Sequence, residues 1–390
     1  MSLIRQLKIL ITTPSFPPFN SGLGNAVYQQ VKMLSSFRNE VVVATAGNKR
    51  NIRFDNSLNV RIEEFNVMGA DSLINPLQGD VDSYKKFLLE SDFDLIIMNA
   101  WQTWSTDICF KYLNEISGKK VLYSHCISTN VFFSEQPFKS LLRYLLWRPY
   151  FFKIKSILKK LDVFICLASE GADSRFDDVK MAYKLEIPLY IIPNTASNNT
   201  SYNDPLPIES RNQIISVGSY DWQKGHDFVL RAYALSVAKN VIPLKIFGQE
   251  FTPYTIKLKE EAVKLGIEDD FLSFYEGVAG IDLLKEYGKS LAFIYGSRTE
   301  CQPLVILDAM ASGTPFISRS TGCIDSLPGG IAVINEEIAA ISLDNIIENE
   351  GVWKTFHADG LIAARTNYTY ETVCERFNSA ISDICNDSLV

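Results

Sequence analysis

The strongest constraint on this chain is a rhythm. Short, unbroken apolar runs alternate with segments of helical length. LKILITT (7–13), VVVATAG (41–47), FDLIIMN (93–99), KKVLYSH (119–125) and DVFICLAS (162–169) come first. Such runs are too short for helices and lack the polar alternation of half-exposed strands. They read as parallel strands covered on both faces. The rhythm pauses over residues 193–212, which are rich in Asn, Ser and Pro, and this reads as a linker. It resumes with QIISVGS (213–219), PLKIFG (243–248), DFLSFYEG (270–277), SLAFIYGS (290–297) and PFISRS (315–320). The class is therefore α/β. Two doubly wound, Rossmann-like domains are expected, at 1–192 and 213–370, facing each other across a cleft. Ligands of such sheets sit beyond the carboxyl ends of the strands, so the residues after each strand are the candidates.

Length and charge agree with this division. At 390 residues the chain is long for one core and suits two. Hydrophobic residues make up 47% and charged residues 21%, as in soluble globular proteins. No run is long and apolar enough to predict a spanning helix, and the N-terminus reads as a first strand rather than a signal peptide. Seven cysteines stand singly, which fits a reducing, cytoplasmic setting and argues against a zinc site or disulfide framework. Net charge is −7, unevenly spread. Residues 1–200 hold 23 Lys/Arg against 19 Asp/Glu, a net of +4, and residues 201–390 hold 15 against 26, a net of −11. An acidic half argues against nucleic-acid binding.

The stretch SRTECQPLVILDAMASGTPFIS (297–318) carries the chemistry. Pro303 suits the first position of a helix and Gly313 its stop, so the helix is expected at 303–312. Glu300 lies just before it. Asp308 lies inside it, among Leu307, Ala309 and Met310. The free N–H groups of the helix start attract an anion.

This stretch resembles the signature of the retaining glycosyltransferases of family 4, with Glu300-x7-Asp308 in place of that family's two glutamates. VGSYDWQKGHDFVLRAYA (217–234), IIPNTAS (191–197), LKIFGQE and FLSFYEGV extend the resemblance, which is strong over about 190–320. It implies the GT-B fold, in which the amphipathic helix expected from 371 returns to the first domain. It implies transfer of a sugar from a nucleoside diphosphate sugar to a glycan or lipid-linked acceptor, in bacterial surface polysaccharide or glycolipid assembly. No cofactor is implied. By the same resemblance, Glu300 would bind the donor sugar, Lys224 the diphosphate, and the N–H groups at Pro303, Leu304 and Val305 the diphosphate or sugar. Asp308 would take the ribose, with Gly277 and Val278 near the base. Gly218 closes the strand before Lys224. Gly22 and Gly24, in NSGLGNAV, would face the donor phosphates, and His125 the sugar. The chain departs from the family at Ser219, where an Arg is usual.

Three further features bear on function. NSGLGNAV lacks a third glycine, which weakens a nicotinamide dehydrogenase reading. A nucleotide-sugar epimerase on the same fold and a non-enzymatic sugar-nucleotide binder are the other rivals. Asp92-Phe93-Asp94 spells a metal-binding D-x-D, but it precedes its strand, so no metal is expected. Residues 136–161 contain seven Lys/Arg, no acid and many large apolar residues. They read as two helical pieces broken at Pro149 that contact an anionic membrane from the cytoplasmic side.

Overall fold

The computed structural model describes residues 6–19, 21–37, 39–129, 131–197 and 205–386. The chain forms two compact units: residues 1–193 with 373–390, and residues 194–372. Of the segment read as a linker, 198–204 lie outside the described residues; Asn194–Ser197 and 205–212 belong to the second unit.

The first unit is built on an eight-stranded sheet. Its strands are β1 (Lys8–Thr12), β2 (Glu40–Ala46), β3 (Asn51–Asp55), β4 (Val60–Phe65), β5 (Leu95–Asn99), β6 (Lys119–Ser124), β7 (Val163–Cys166) and β8 (Leu189–Ile191). The order is β8-β7-β6-β5-β1-β2-β4-β3, parallel except for the antiparallel β3–β4 edge. Ile9, Leu10 and Ile11 pair with Val41–Val43 on one side and Leu95–Ile97 on the other, and all three are fully buried. The chain winds outward from β1 to β2 and β4, then restarts beside β1 at β5. That reversal places a crevice at the carboxyl ends of β1 and β5.

The second unit has a six-stranded, all-parallel sheet. Its strands are β9 (Gln213–Val217), β10 (Leu244–Gly248), β11 (Leu272–Glu276), β12 (Ser290–Tyr295), β13 (Phe316–Arg319) and β14 (Gly330–Val333), in the order β11-β10-β9-β12-β13-β14. Here the reversal falls between β9 and β12.

Strands β3, β4, β8 and β14 are not apparent in the sequence. Arg61, Glu63 and Glu64 break the apolar pattern of β4. Glu63 is nonetheless buried, because Arg50 and Arg61 pair with it. β3, β8 and β14 are short and mostly exposed or half-buried.

Five helices matter below: α1 (Gly22–Ser36), α2 (Pro137–Leu158), α3 (His226–Leu235), α4 (Leu304–Ala311) and α5 (Tyr370–Asn386). Residues of α5 from Val373 onward belong to the first unit. The expected break at Pro149 is absent: α2 runs unbroken through it. An interior proline removes one hydrogen bond and crowds the carbonyl four residues back. Packing on both sides outweighs this, since Trp147, Tyr150, Ile154, Ile157 and Leu158 are all buried.

Pro149 itself is exposed. Pro149→Ala should therefore raise the melting temperature, by on the order of 1–3 kcal/mol of stability. A lower melting temperature would show that the proline geometry is needed to seat the helix.

Candidate functional site

In the second unit, the loops following β9 and β12 meet at the reversal point. Three features bring them together. Asp221 accepts from the Gln223 and Lys224 N–H groups at 2.8 and 3.2 Å, curling residues 222–224 into a 3-10 turn. Gly225 then takes a left-handed conformation, φ +64°. Its backbone lies so close to Gly296 that a Cβ on either residue would overlap the other's carbonyl. The Arg298 N–H donates to the Gln223 carbonyl at 2.8 Å.

The result is an ion pair between two residues singled out in the sequence. Lys224 Nζ stands 2.7 Å from Glu300 Oε1. Tyr295 OH donates to the same oxygen at 2.5 Å and Ser297 Oγ at 2.8 Å. Burial pushes the Glu300 carboxyl up, but the Lys224 charge and these hydrogen bonds outweigh it and hold the pKa below the ordinary value. The Tyr295 hydroxyl is driven well up, by burial and then by the Glu300 charge, so it remains a donor.

Gly218 lies beneath the Lys224 stem, where a Cβ would stand 3.3 Å from Lys224 Cβ. Its carbonyl is 3.1 Å from His226 Nε2. His226 is fully buried and ties this turn to the start of α3. Ser219 does not replace the family's arginine; its hydroxyl donates to Asp221 at 2.5 Å. The nearby Arg298 is buried and committed to Asp227 through two bonds, at 2.9 and 2.7 Å.

Helix α4 starts at Leu304, with Pro303 capping it, one residue later than expected. Leu304 and Val305 are half-buried. Asp308 is 9% exposed. Its two oxygens accept from Ser197, the N–H at 2.7 Å and the hydroxyl at 3.1 Å. Gln302 Oε1 accepts from the Asn194 N–H at 2.6 Å. Gln302 and Asp308 thus hold residues 194–197 alongside α4. A ribose on Asp308 would have to displace Ser197.

Gly277, φ +71°, and half-buried Val278 follow edge strand β11. They lie about 10 Å along the sheet from β9, at roughly 4.8 Å per strand. A Cβ on Gly277 would meet open space.

In the first unit, Gly22 and Gly24 open α1 directly after β1. Ser21 caps the helix, accepting from the Gly24 N–H at 2.9 Å. A Cβ on Gly24 would press on Ser21 Oγ and Ser15, whereas Gly22 faces open space. His125, just beyond β6, is half-buried, with Nε2 3.2 Å from Asn99 Oδ1 and its ring stacked on Tyr123. Burial depresses its pKa to about 4, so the imidazole is neutral at pH 7. Asp94 of the D-x-D accepts from the Lys8 N–H at 2.8 Å, at the amino end of the sheet. Sequence reasoning missed Tyr295, Ser297, Gln302 and Ser197. Tyr295 is hidden inside an apolar run, and no local pattern marks the other three.

Residues 199–327 match the family described as glycosyl transferases group 1, about a third of the chain. The alpha-monoglucosyldiacylglycerol synthase of Streptococcus pneumoniae (strain ATCC BAA-255 / R6) is 25% identical over 182 residues, which are 45% of this chain and 39% of that protein. The chain thus spans well under half of that relative. The sucrose-phosphate synthase (tll1590) from Thermosynechococcus elongatus superposes with a TM-score of 0.72 at 17% identity, over 97% of this chain and 99% of its own. Anabaena Alr3699/HepE, in complex with UDP and glucose, gives 0.68 at 15% identity, over 97% of this chain and 100% of its own. The fold is GT-B: two Rossmann-like α/β domains with parallel sheets.

Asp308 yields a pH prediction. Burial pushes its carboxyl up to about 6, against the Ser197 bonds, which lower it. A carboxyl with a raised folded-state pKa favours the folded chain while protonated. That contribution is complete below about pH 4 and is lost as pH rises through the folded pKa. Asp308→Asn keeps a partner for each Ser197 group and removes the ionisation. The variant should gain on the wild type between about pH 4 and 7, by on the order of 3 kcal/mol. Melting curves across that range check this; a pH-independent difference refutes it.

Proposed function

We propose that this chain is a retaining glycosyltransferase that takes a sugar from a nucleoside diphosphate sugar. The observation that carries the reading is the Lys224–Glu300 pair, held at the reversal point beside the start of α4. Its support outside the chain's own geometry is the group 1 match over residues 199–327.

The chemistry follows from charge. A departing nucleoside diphosphate gains negative charge as its bond to the sugar breaks. A fixed cation and oriented N–H dipoles stabilise that charge more than the ground state. Lys224 supplies the cation, and the N–H groups at the start of α4 supply the dipoles. Lys224 is about one-third exposed and reaches Glu300 from one side, so it can turn toward a phosphate. Glu300, relieved of part of that pairing and still held by Tyr295 and Ser297, accepts from sugar hydroxyls. Gly277 and Val278, about 10 Å away along the sheet, take the base. Asp308 takes the ribose if Ser197 yields.

In this reading the sugar is a hexose and leaves with its configuration retained. The acceptor is a glycan or lipid-linked glycan of surface polysaccharide or glycolipid assembly. UDP is the first nucleotide to test, because it is bound in the HepE structure of like fold. The pneumococcal relative, by its name, makes a diacylglycerol glycolipid, which favours a lipid acceptor.

Thermal shifts with UDP, GDP, ADP and NAD test the donor. One nucleoside diphosphate at about a hundred times its Kd should add roughly 2.7 kcal/mol, and Lys224→Ala should abolish most of the shift. Stabilisation by NAD alone, or by none of the four, overturns the reading. Glu300→Gln should lower acceptor-dependent release of the nucleotide about a hundredfold. Turnover of the donor without any acceptor would indicate an epimerase instead.

A further inference from the structure

We infer that the exposed face of α2, from Phe138 to Lys155, is a lipid-docking element for an anionic bilayer surface. The argument begins with length. At 1.5 Å per residue, the 22 residues of α2 span about 33 Å. The strands it connects, β6 and β7, have six and four residues, or about 20 and 13 Å. The helix therefore outruns the sheet by more than two turns. Its buried apolar residues run from Trp147, at its midpoint, to Leu158. The overhang is the N-terminal half.

That overhang is ordered and apolar on its outer side. Ser140 is buried and bonds both backbone groups of Phe133, while the Arg143 guanidinium bonds the Val131 carbonyl. These contacts fold the preceding loop onto the helix. At 100° per residue, Phe138, Leu141, Leu142, Leu145 and Phe152 fall on one stripe about 100° wide. Phe138 is 78% exposed, Phe152 74%, Leu145 58%, and Leu141 and Leu142 49% each. Phe132, on the loop before the helix, is 60% exposed as well. Solitary exposed apolar side chains are ordinary, but a stripe of this kind marks an interaction surface.

Charge selects the occupant. Residues 136–161 carry seven Lys/Arg and no acid, in a chain of net charge −7. Lys139 and Lys153 flank one edge of the stripe and Arg148 and Lys155 the other, all exposed. Lys153 is paired with Asp71 at 2.7 Å, and Arg148 lies over Tyr144 and Phe152. An apolar strip between two cationic edges matches acyl chains between anionic headgroups. A second copy of the chain matches poorly, since two-fold pairing would set each cationic edge near its own copy. Among the described residues no helix is long and apolar enough to cross a membrane, so this is contact in the plane of the surface. The inference deepens the proposed function by naming where a lipid-linked acceptor would be met, but the binding itself does not depend on sugar transfer.

Vesicle flotation of the full chain, without donor, is the test. Vesicles of phosphatidylcholine are compared with vesicles in which about a third of the lipid is phosphatidylglycerol. Binding to the anionic vesicles should exceed the neutral level about tenfold or more and weaken with salt. Leu141→Glu with Leu145→Glu should abolish it, and Lys139→Glu with Arg148→Glu should reduce it about tenfold or more. These positions are exposed, and a retained melting transition shows that the variants fold. Equal binding to both vesicle types, or to neither, overturns the inference. So does a wild-type dimer in gel filtration that becomes monomeric in the Leu141→Glu, Leu145→Glu variant. A nucleotide shift that survives loss of vesicle binding separates this outcome from failure of the donor site.

Discussion

The close approach of Gly225 and Gly296 is the contact on which the site depends. Two backbones pass with no room for a side chain on either. Lys224 is the residue before the first glycine, and Glu300 lies four residues after the second. Their side chains meet because the backbones cross, and the Gln223 carbonyl locks the crossing by accepting from the Arg298 N–H. Any larger residue at either glycine would push the loops apart and leave Glu300 buried without its cation. A buried charge stripped of its partner typically costs several kcal/mol. The geometry of the pair is thus a backbone property first and a side-chain property second.

Burial raises the pKa of each of these acids, but the net shift takes opposite signs depending on what surrounds each one. Asp107, Asp178 and Asp308 are all pushed up to about 6, because buried neutral donors offset desolvation only in part. Asp178 is bonded by Trp101 and Ser124, and Asp107 by Tyr150 and the Asp71 N–H. Glu300 has comparable hydroxyl donors and, in addition, a cation. That one difference reverses the sign of its shift. An acid kept ionised in a buried place is a group suited to accept from sugar hydroxyls; an acid near neutrality at pH 6 is better suited to hold a segment in place. Asp308, clasping Ser197, has the second character in this structure.

Much of the architecture is legible in the sequence because the central strands are buried on both faces. β1, β5 and β12 are unbroken apolar runs for that reason, and the residues following them can be named as candidates without coordinates. β3 and β4 are not legible. One lies at an exposed edge, and the other buries Glu63 against Arg61 on its own strand and against Arg50, 13 residues away. The same limit applies at the site. Lys224 and Glu300 can be named one by one, but not as a pair, since 76 residues separate them. Ser197 and Asp308 are 111 apart. Pro149 misleads because local propensity argues for a break, and only the packed neighbours on both sides keep the helix whole.

The seat of α2 shows how a buried polar contact can serve a surface. Tyr150 follows Pro149 directly, and its hydroxyl donates to Asp107 at 2.6 Å while accepting from the Gln102 N–H at 3.0 Å. Ala100, Gln102 and Cys126, at the carboxyl ends of β5 and β6, all take positive φ values, a strained conformation for residues with side chains. The packing around Tyr150 offsets that strain where the helix is rooted. Beyond Pro149, toward its start, the helix leaves the sheet behind. It does so as a rigid lever, with Ser140 and Arg143 holding the loop against it. An apolar stripe on a flexible segment would lose ordering entropy on meeting a surface. On a helix already fixed at one end by Asp107 and Trp147, little of that loss remains.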